Sequence, residues 1–258
     1  MNRRNFLTAS LAAPALAQAQ NDNKSPEYYE LRRYRLRSGP GRKLTDGYLR
    51  EALVPALNRL GMEPVGVFSQ DIGEENPSMF VLIPSASAEA LAGMPAKLDA
   101  DSAYMKAAAS FLNTPAKEPA YERVESTLLR AFPGWPKLTV PAVTAQHGAR
   151  VFELRTYESP TDQDHRRKVE MFHSGEFEIF RRAGFWQVFY GDALIGPRLP
   201  RLTYMLAFAD AGERNKLWKA FGSDPEWKKL TASPRFSFED IVSNISNLLL
   251  SPTAYSQV

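Results

Sequence analysis

Tyr29-Glu30-Leu31-Arg32-Arg33-Tyr34 and, 123 residues further on, Phe152-Glu153-Leu154-Arg155-Thr156-Tyr157 are one pattern written twice. The same offset places Leu60-Gly61-Met62 on Ala183-Gly184-Phe185, the apolar run Met79 to Ile83 on Leu202 to Leu206, and Asp101-Ser102-Ala103-Tyr104 on Asp224-Pro225-Glu226-Trp227. Several blocks at one spacing mark a tandem duplication. A Pro-rich joint, Phe132-Pro133-Gly134-Trp135-Pro136-Lys137 continuing to Pro141, separates the copies. We place the first copy at residues 28–132, the joint at 133–149 and the second copy at 150–250.

Each copy reads as β-α-β-β-α-β. The opening block alternates, with Phe152 and Leu154 on one side and Glu153, Arg155 and Tyr157 on the other, as a half-buried strand does. Val169, Phe172, His173, Phe177 and Phe180 then recur at helical spacing, and Gly184 stops that helix. Phe185 to Tyr190 and Leu202 to Phe208 read as strands. Asp210 with Glu213, and Ser223 with Glu226, read as capping boxes of two short helices. A last strand is expected around Ile241 to Leu249, and around Tyr121 to Leu128 in the first copy. The fold class is therefore α+β: two ferredoxin-like units whose sheets cover each other as an intrachain barrel.

The opening strand of both copies, the glycine-terminated first helix, and the segment Trp218, Phe221, Asp224-Pro225-Glu226-Trp227-Lys228 resemble the NIPSNAP family of the dimeric α+β barrel superfamily. The resemblance spans nearly all of residues 28 to 250 and is clearer in the second copy; in the first, Asp101-Ser102-Ala103-Tyr104 departs from it. It implies kinship with small monooxygenases, isomerases and haem-binding chlorite dismutase-like proteins, and fold kinship does not choose among them.

The polar face of the opening strand is the first candidate site. With Leu31 and Leu154 turned to the helices, Glu30, Arg32, Tyr34, Glu153, Arg155 and Tyr157 are expected to face the space between the sheets. There they would bind a small, partly apolar anion or form cross-strand ion pairs. Trp186 and Tyr190, two positions of one parity in a strand, are expected on one face of a pocket for the apolar part of that ligand. His173, on an apolar helix stripe, reads as a core residue or as a haem ligand in an alternative reading. No cofactor and no metal site are otherwise expected: the three histidines lack metal-ligand spacing and there is no cysteine. A non-enzymatic interaction module, stable as a homo-oligomer, is the reading from another class.

Address and charge limit the partners. Arg3-Arg4-Asn5-Phe6-Leu7, a short Ala-rich stretch and an Ala-x-Ala site read as a twin-arginine-like signal peptide over residues 1–19, hence export to the periplasm. That stretch is too short to span a bilayer, and no other is long enough, so no stable membrane insertion is expected. Of 258 residues, 32 are basic and 29 acidic; removing Arg3 and Arg4 leaves a nearly neutral chain, and nucleic acid is not an expected partner. Ser38-Gly39-Pro40-Gly41 lacks phosphate-loop spacing, and no G-x-S-x-G elbow occurs.

Overall fold

The computed structural model describes residues 25–258 apart from Glu74 and Asn76, so the signal segment lies outside the described residues. The first copy runs β1 (Tyr28–Arg35), α1 (Pro40–Tyr48), a π turn (Leu49–Leu53), α2 (Val54–Arg59), β2 (Gly66–Ile72), β3 (Ser78–Ser85), α3 (Ala88–Asp99), α4 (Ser102–Leu112) and β4 (Arg123–Ala131). The second repeats it: β5 (Val151–Glu158), α5 (Asp162–Met171), a π turn (Phe172–Glu176), α6 (Phe177–Ala183), β6 (Trp186–Ile195), β7 (Arg201–Phe208), α7 (Ala211–Ser223), α8 (Pro225–Thr231), α9 (Phe238–Ile241) and β8 (Asn244–Pro252). The two π turns stand 123 residues apart, so the duplication extends to a rare local geometry.

Local chemistry accounts for the helix ends. Gly184 sits at φ 95°, the left-handed conformation that ends α6 without a Cβ clash. Asp210 accepts from the Glu213 backbone N–H, while the Glu213 carboxylate accepts from Ala209 N–H. The expected Ser223 cap is corrected: Ser223 donates back to the Lys219 and Ala220 carbonyls, and Asp224, followed by Pro225, caps α8 through Glu226 and Trp227 N–H. The shorter reach of an Asp carboxylate to the next two amides wins this position. Asp101 caps α4 in the same way.

All strand pairs are antiparallel, in the closed order β1-β3-β2-β8-β5-β7-β6-β4. Each copy contributes a four-stranded sheet, and the edge strands of one pair with those of the other, β2 with β8 and β4 with β6. Closure removes the open edges that either sheet alone would expose. Helices cover the outside.

The alternation of the opening strands is present, but its sides are reversed from expectation. Tyr29, Leu31, Phe152 and Leu154 point into the barrel, packed with Phe68, Phe189 and Met205. Tyr34 and Tyr157 belong to the two cores beneath the helices, and Glu30, Arg32, Glu153 and Arg155 share their side. A period of two separates the faces without saying which is inside. The sheets enclose each other most fully, so they take the apolar set, and the helices can supply donors to the polar one.

Candidate functional site

In the first copy Arg32 bonds both Glu30 oxygens, at 2.8 and 3.0 Å, and the Tyr34 hydroxyl at 3.3 Å, while Ser126 also donates to Glu30. In the second copy the cluster is larger. Glu153, with no exposed surface, accepts from Arg155 (2.8 Å), from two nitrogens of Arg214 (2.9 and 2.6 Å) and from the Trp218 indole N–H (2.7 Å). Burial pushes its carboxyl up, but these donors outweigh burial and hold it below the usual carboxylate range. Arg155 also bonds the Tyr157 hydroxyl and stacks over Trp218, 4.4 Å from the ring centre. Tyr157 and Tyr204 join hydroxyls at 2.9 Å.

One layer nearer the helices lie Lys168 and Glu176, Nζ to Oε2 at 2.6 Å, both closed to solvent. Lys168 is boxed by aromatic faces, with Nζ 4.5 Å from the Phe172 ring centre, 5.3 Å from Tyr157 and 5.9 Å from Trp227. Burial raises the Glu176 carboxyl above its ordinary value, and Lys168 and Arg155 only partly counter it. Gly175 in the same π turn has φ 147°, which a side chain would strain. Outside this turn, a groove of about 300 Å³ runs between α6 and α8, floored by Ile179, Leu230 and Phe236.

The duplication supplies an internal comparison. At the positions of Lys168 and Glu176 the first copy carries Thr45 and Leu53, both fully buried on the same π-turn framework. Thr45 bonds the Ala120 carbonyl. Lys168, Glu176 and Arg214 carry no sequence motif; at the repeat offset they stand, with Tyr204, as charged or polar side chains opposite Thr45, Leu53, Leu91 and Val81.

The remaining expected residues are dispersed. Trp186 packs toward the barrel interior and Tyr190 into the helix-side core, donating to Gln187. The shared face is corrected by a β-bulge between Gln187 and Phe189, which inserts one residue and reverses the alternation. His173 is exposed, and both ring nitrogens are engaged, Nδ1 with the Val169 carbonyl and Nε2 with the Gly134 N–H. An imidazole whose Nε2 lone pair accepts a backbone hydrogen bond does not fit an axial haem ligand. Among the described residues no group of three or more His, Cys, Asp or Glu could hold a metal ion, and no helix is long and apolar enough to cross a membrane.

Two sheets closed into one antiparallel barrel with helices outside define the class: a dimeric α+β barrel folded from a single chain. Solved structures that superpose over most of the chain share this fold. A candidate monooxygenase from Lactobacillus acidophilus NCFM superposes with a TM-score of 0.57 at 8% identity, covering 88% of this chain and 94% of that one. An anthrone oxidase-like protein gives 0.51 at 10% identity, covering 89% and 92%. A NIPSNAP-like domain protein from Burkholderia xenovorans, 19% identical with a TM-score of 0.39, covers 43% of this chain and 90% of its own. No curated protein matches the sequence. The NIPSNAP family profile matches residues 29–134 and again 152–257, and the chain belongs to the NIPSNAP family.

Proposed function

We propose that the second copy binds a small, partly apolar anionic molecule beneath its helices, and that the first copy is its scaffold. The observation that carries this is the Lys168–Glu176 pair at 2.6 Å inside an aromatic box. A buried ion pair is a poor stabiliser, often replaceable by apolar groups at no loss. Thr45 and Leu53 show that the fold accommodates the uncharged alternative. Retaining charge here serves chemistry better than stability.

Lys168 is the cation for the ligand's acidic group, and Glu176 the base that accepts a proton once that group displaces it. Tyr157 and Tyr204 are hydroxyl partners, and Phe172 and Trp227 hold the flat apolar part. Arg155, already committed to Glu153 and Tyr157, positions the tyrosines rather than the ligand. The groove between α6 and α8, lined by Gly175 next to Glu176 in the chain, supports an approach from that side. Such a site supports proton transfer of the isomerase or cofactor-independent monooxygenase kind. Arg3-Arg4 and the Ala-rich stretch support export to the periplasm.

The test is native mass spectrometry of the protein purified from its export route, beside a Lys168→Thr/Glu176→Leu double variant that copies the first repeat. Retained organic mass in the wild type and its loss in a folded double variant are expected. Equal retention in both would overturn the reading.

A further inference from the structure

A second cavity, of about 370 Å³, opens at one mouth of the barrel, on the opposite side of the sheets from the Lys168–Glu176 pair. Its floor is apolar: Leu31, Phe80, Leu154 and Leu248. Its wall carries Thr127, Thr156, Thr203 and Arg201. The size lies at the lower end of metabolite sites.

Arg201 is the informative residue. It is 6% exposed, and one guanidinium nitrogen donates to Thr127 Oγ1 at 2.6 Å, while Nε, also buried, has no partner. The other two arginines on the wall have acids: Arg33 pairs with Glu75 and Arg198 with Glu158. Among the described residues no ion pair joins Arg201 to a carboxylate within 4.0 Å. Leaving the buried Nε donor without a partner is costly, and the charges of Glu158 and Glu125 offset only part of the burial of the cation. Nor does the fold require the arginine, because the equivalent position in the first copy is Ser78, which donates to the Glu75 carbonyl.

The backbone around it packs closely and holds the Thr127–Arg201 pair in place. Gly196, at φ 149°, lies so close that an added Cβ would stand 3.0 Å from Thr127 Oγ1 and 3.3 Å from the Arg201 guanidinium. Gly73, its counterpart 123 residues earlier, has φ 145° and also lines the cavity. At both hairpin turns a side chain would instead press on residues of the cavity wall, Thr127 and Arg201 at Gly196 and Leu248 at Gly73. Glu125 on the same wall repels a dianion such as sulfate more strongly than a singly charged carboxylate.

We infer that the barrel mouth is a separate binding site for a small monocarboxylate with an apolar body, its carboxylate held by Arg201 and Thr127 and its body resting on Leu31, Phe80 and Leu154. Thr156 and Thr203, hydroxyls 3.0 Å apart, offer the remaining hydrogen bonds. The site is independent of the one proposed beneath the helices.

Benzoate is the probe, titrated by calorimetry into the full mature chain with phosphate and chloride as comparisons. Saturable benzoate binding is expected, at least ten-fold weaker in Arg201→Met and weakened in Thr127→Val, which keeps the guanidinium and serves if the first variant fails to fold. The Lys168→Thr/Glu176→Leu variant should bind benzoate at the barrel mouth as the wild type does, so the two sites fail separately. No benzoate binding, binding unchanged in Arg201→Met or Thr127→Val, or phosphate or chloride binding equally well would overturn the assignment.

Discussion

Lys168 Nζ lies 2.6 Å from Glu176 Oε2 in the second repeat, where the first repeat places Thr45 and Leu53 on the same helix and π turn. One chain thus contains both the charged and the uncharged solution to one packing problem. Breaking the pair by Glu176→Leu alone strands a buried ammonium and should cost about 3–5 kcal/mol. The double variant Lys168→Thr/Glu176→Leu should recover most of that loss, as read from urea midpoints of the two variants and the wild type.

Glu153 is the acceptor on which three side chains of the second copy converge. Glu153→Ala should cost about 3–5 kcal/mol by leaving Arg155 and Arg214 without their carboxylate. Its folded pKa lies below the unfolded value, so its stabilisation is complete above the ordinary glutamate range, about 4.3, and is lost as pH falls through the folded value. Denaturant midpoints from pH 7 to pH 3 should show the gap between wild type and a Glu153→Gln variant closing as the pH falls.

Gly191 lies at the β4–β6 seam where the two repeats meet, paired with Ala131. A Cβ there would meet Leu129 Cβ at 2.9 Å, and Leu129 is fully buried in the barrel. Gly191→Ala should therefore destabilise by about 1–3 kcal/mol. Thermal unfolding measures it, and an unchanged midpoint would show that the seam yields.

His173→Ala removes hydrogen bonds to Val169 and Gly134 on an exposed helix face. A loss of about 0.5–1.5 kcal/mol per bond is the upper expectation, since water replaces both partners. Ligand retention and the absorption spectrum of the purified protein should not change; loss of a haem band on this substitution would contradict the geometry.

The duplication, the β-α-β-β-α-β order and the helix stop at Gly184 are legible in the order of residues, because each rests on local rules: repeated side-chain parity, turn chemistry and a backbone conformation that suits glycine. The same parity separates Leu31 and Leu154 from Glu30, Arg32, Glu153 and Arg155. Which set faces inward follows from the packing of the closed barrel, since parity is symmetric and the inside is defined by what covers each face. The bulge beside Val188, which parts Trp186 from Tyr190, is likewise fixed by pairing with β7 and leaves no local signature. Lys168 and Arg201 look like ordinary surface cations in a linear reading. Packing alone buries the one against Glu176 and leaves the other with an unpartnered Nε at the mouth of the barrel.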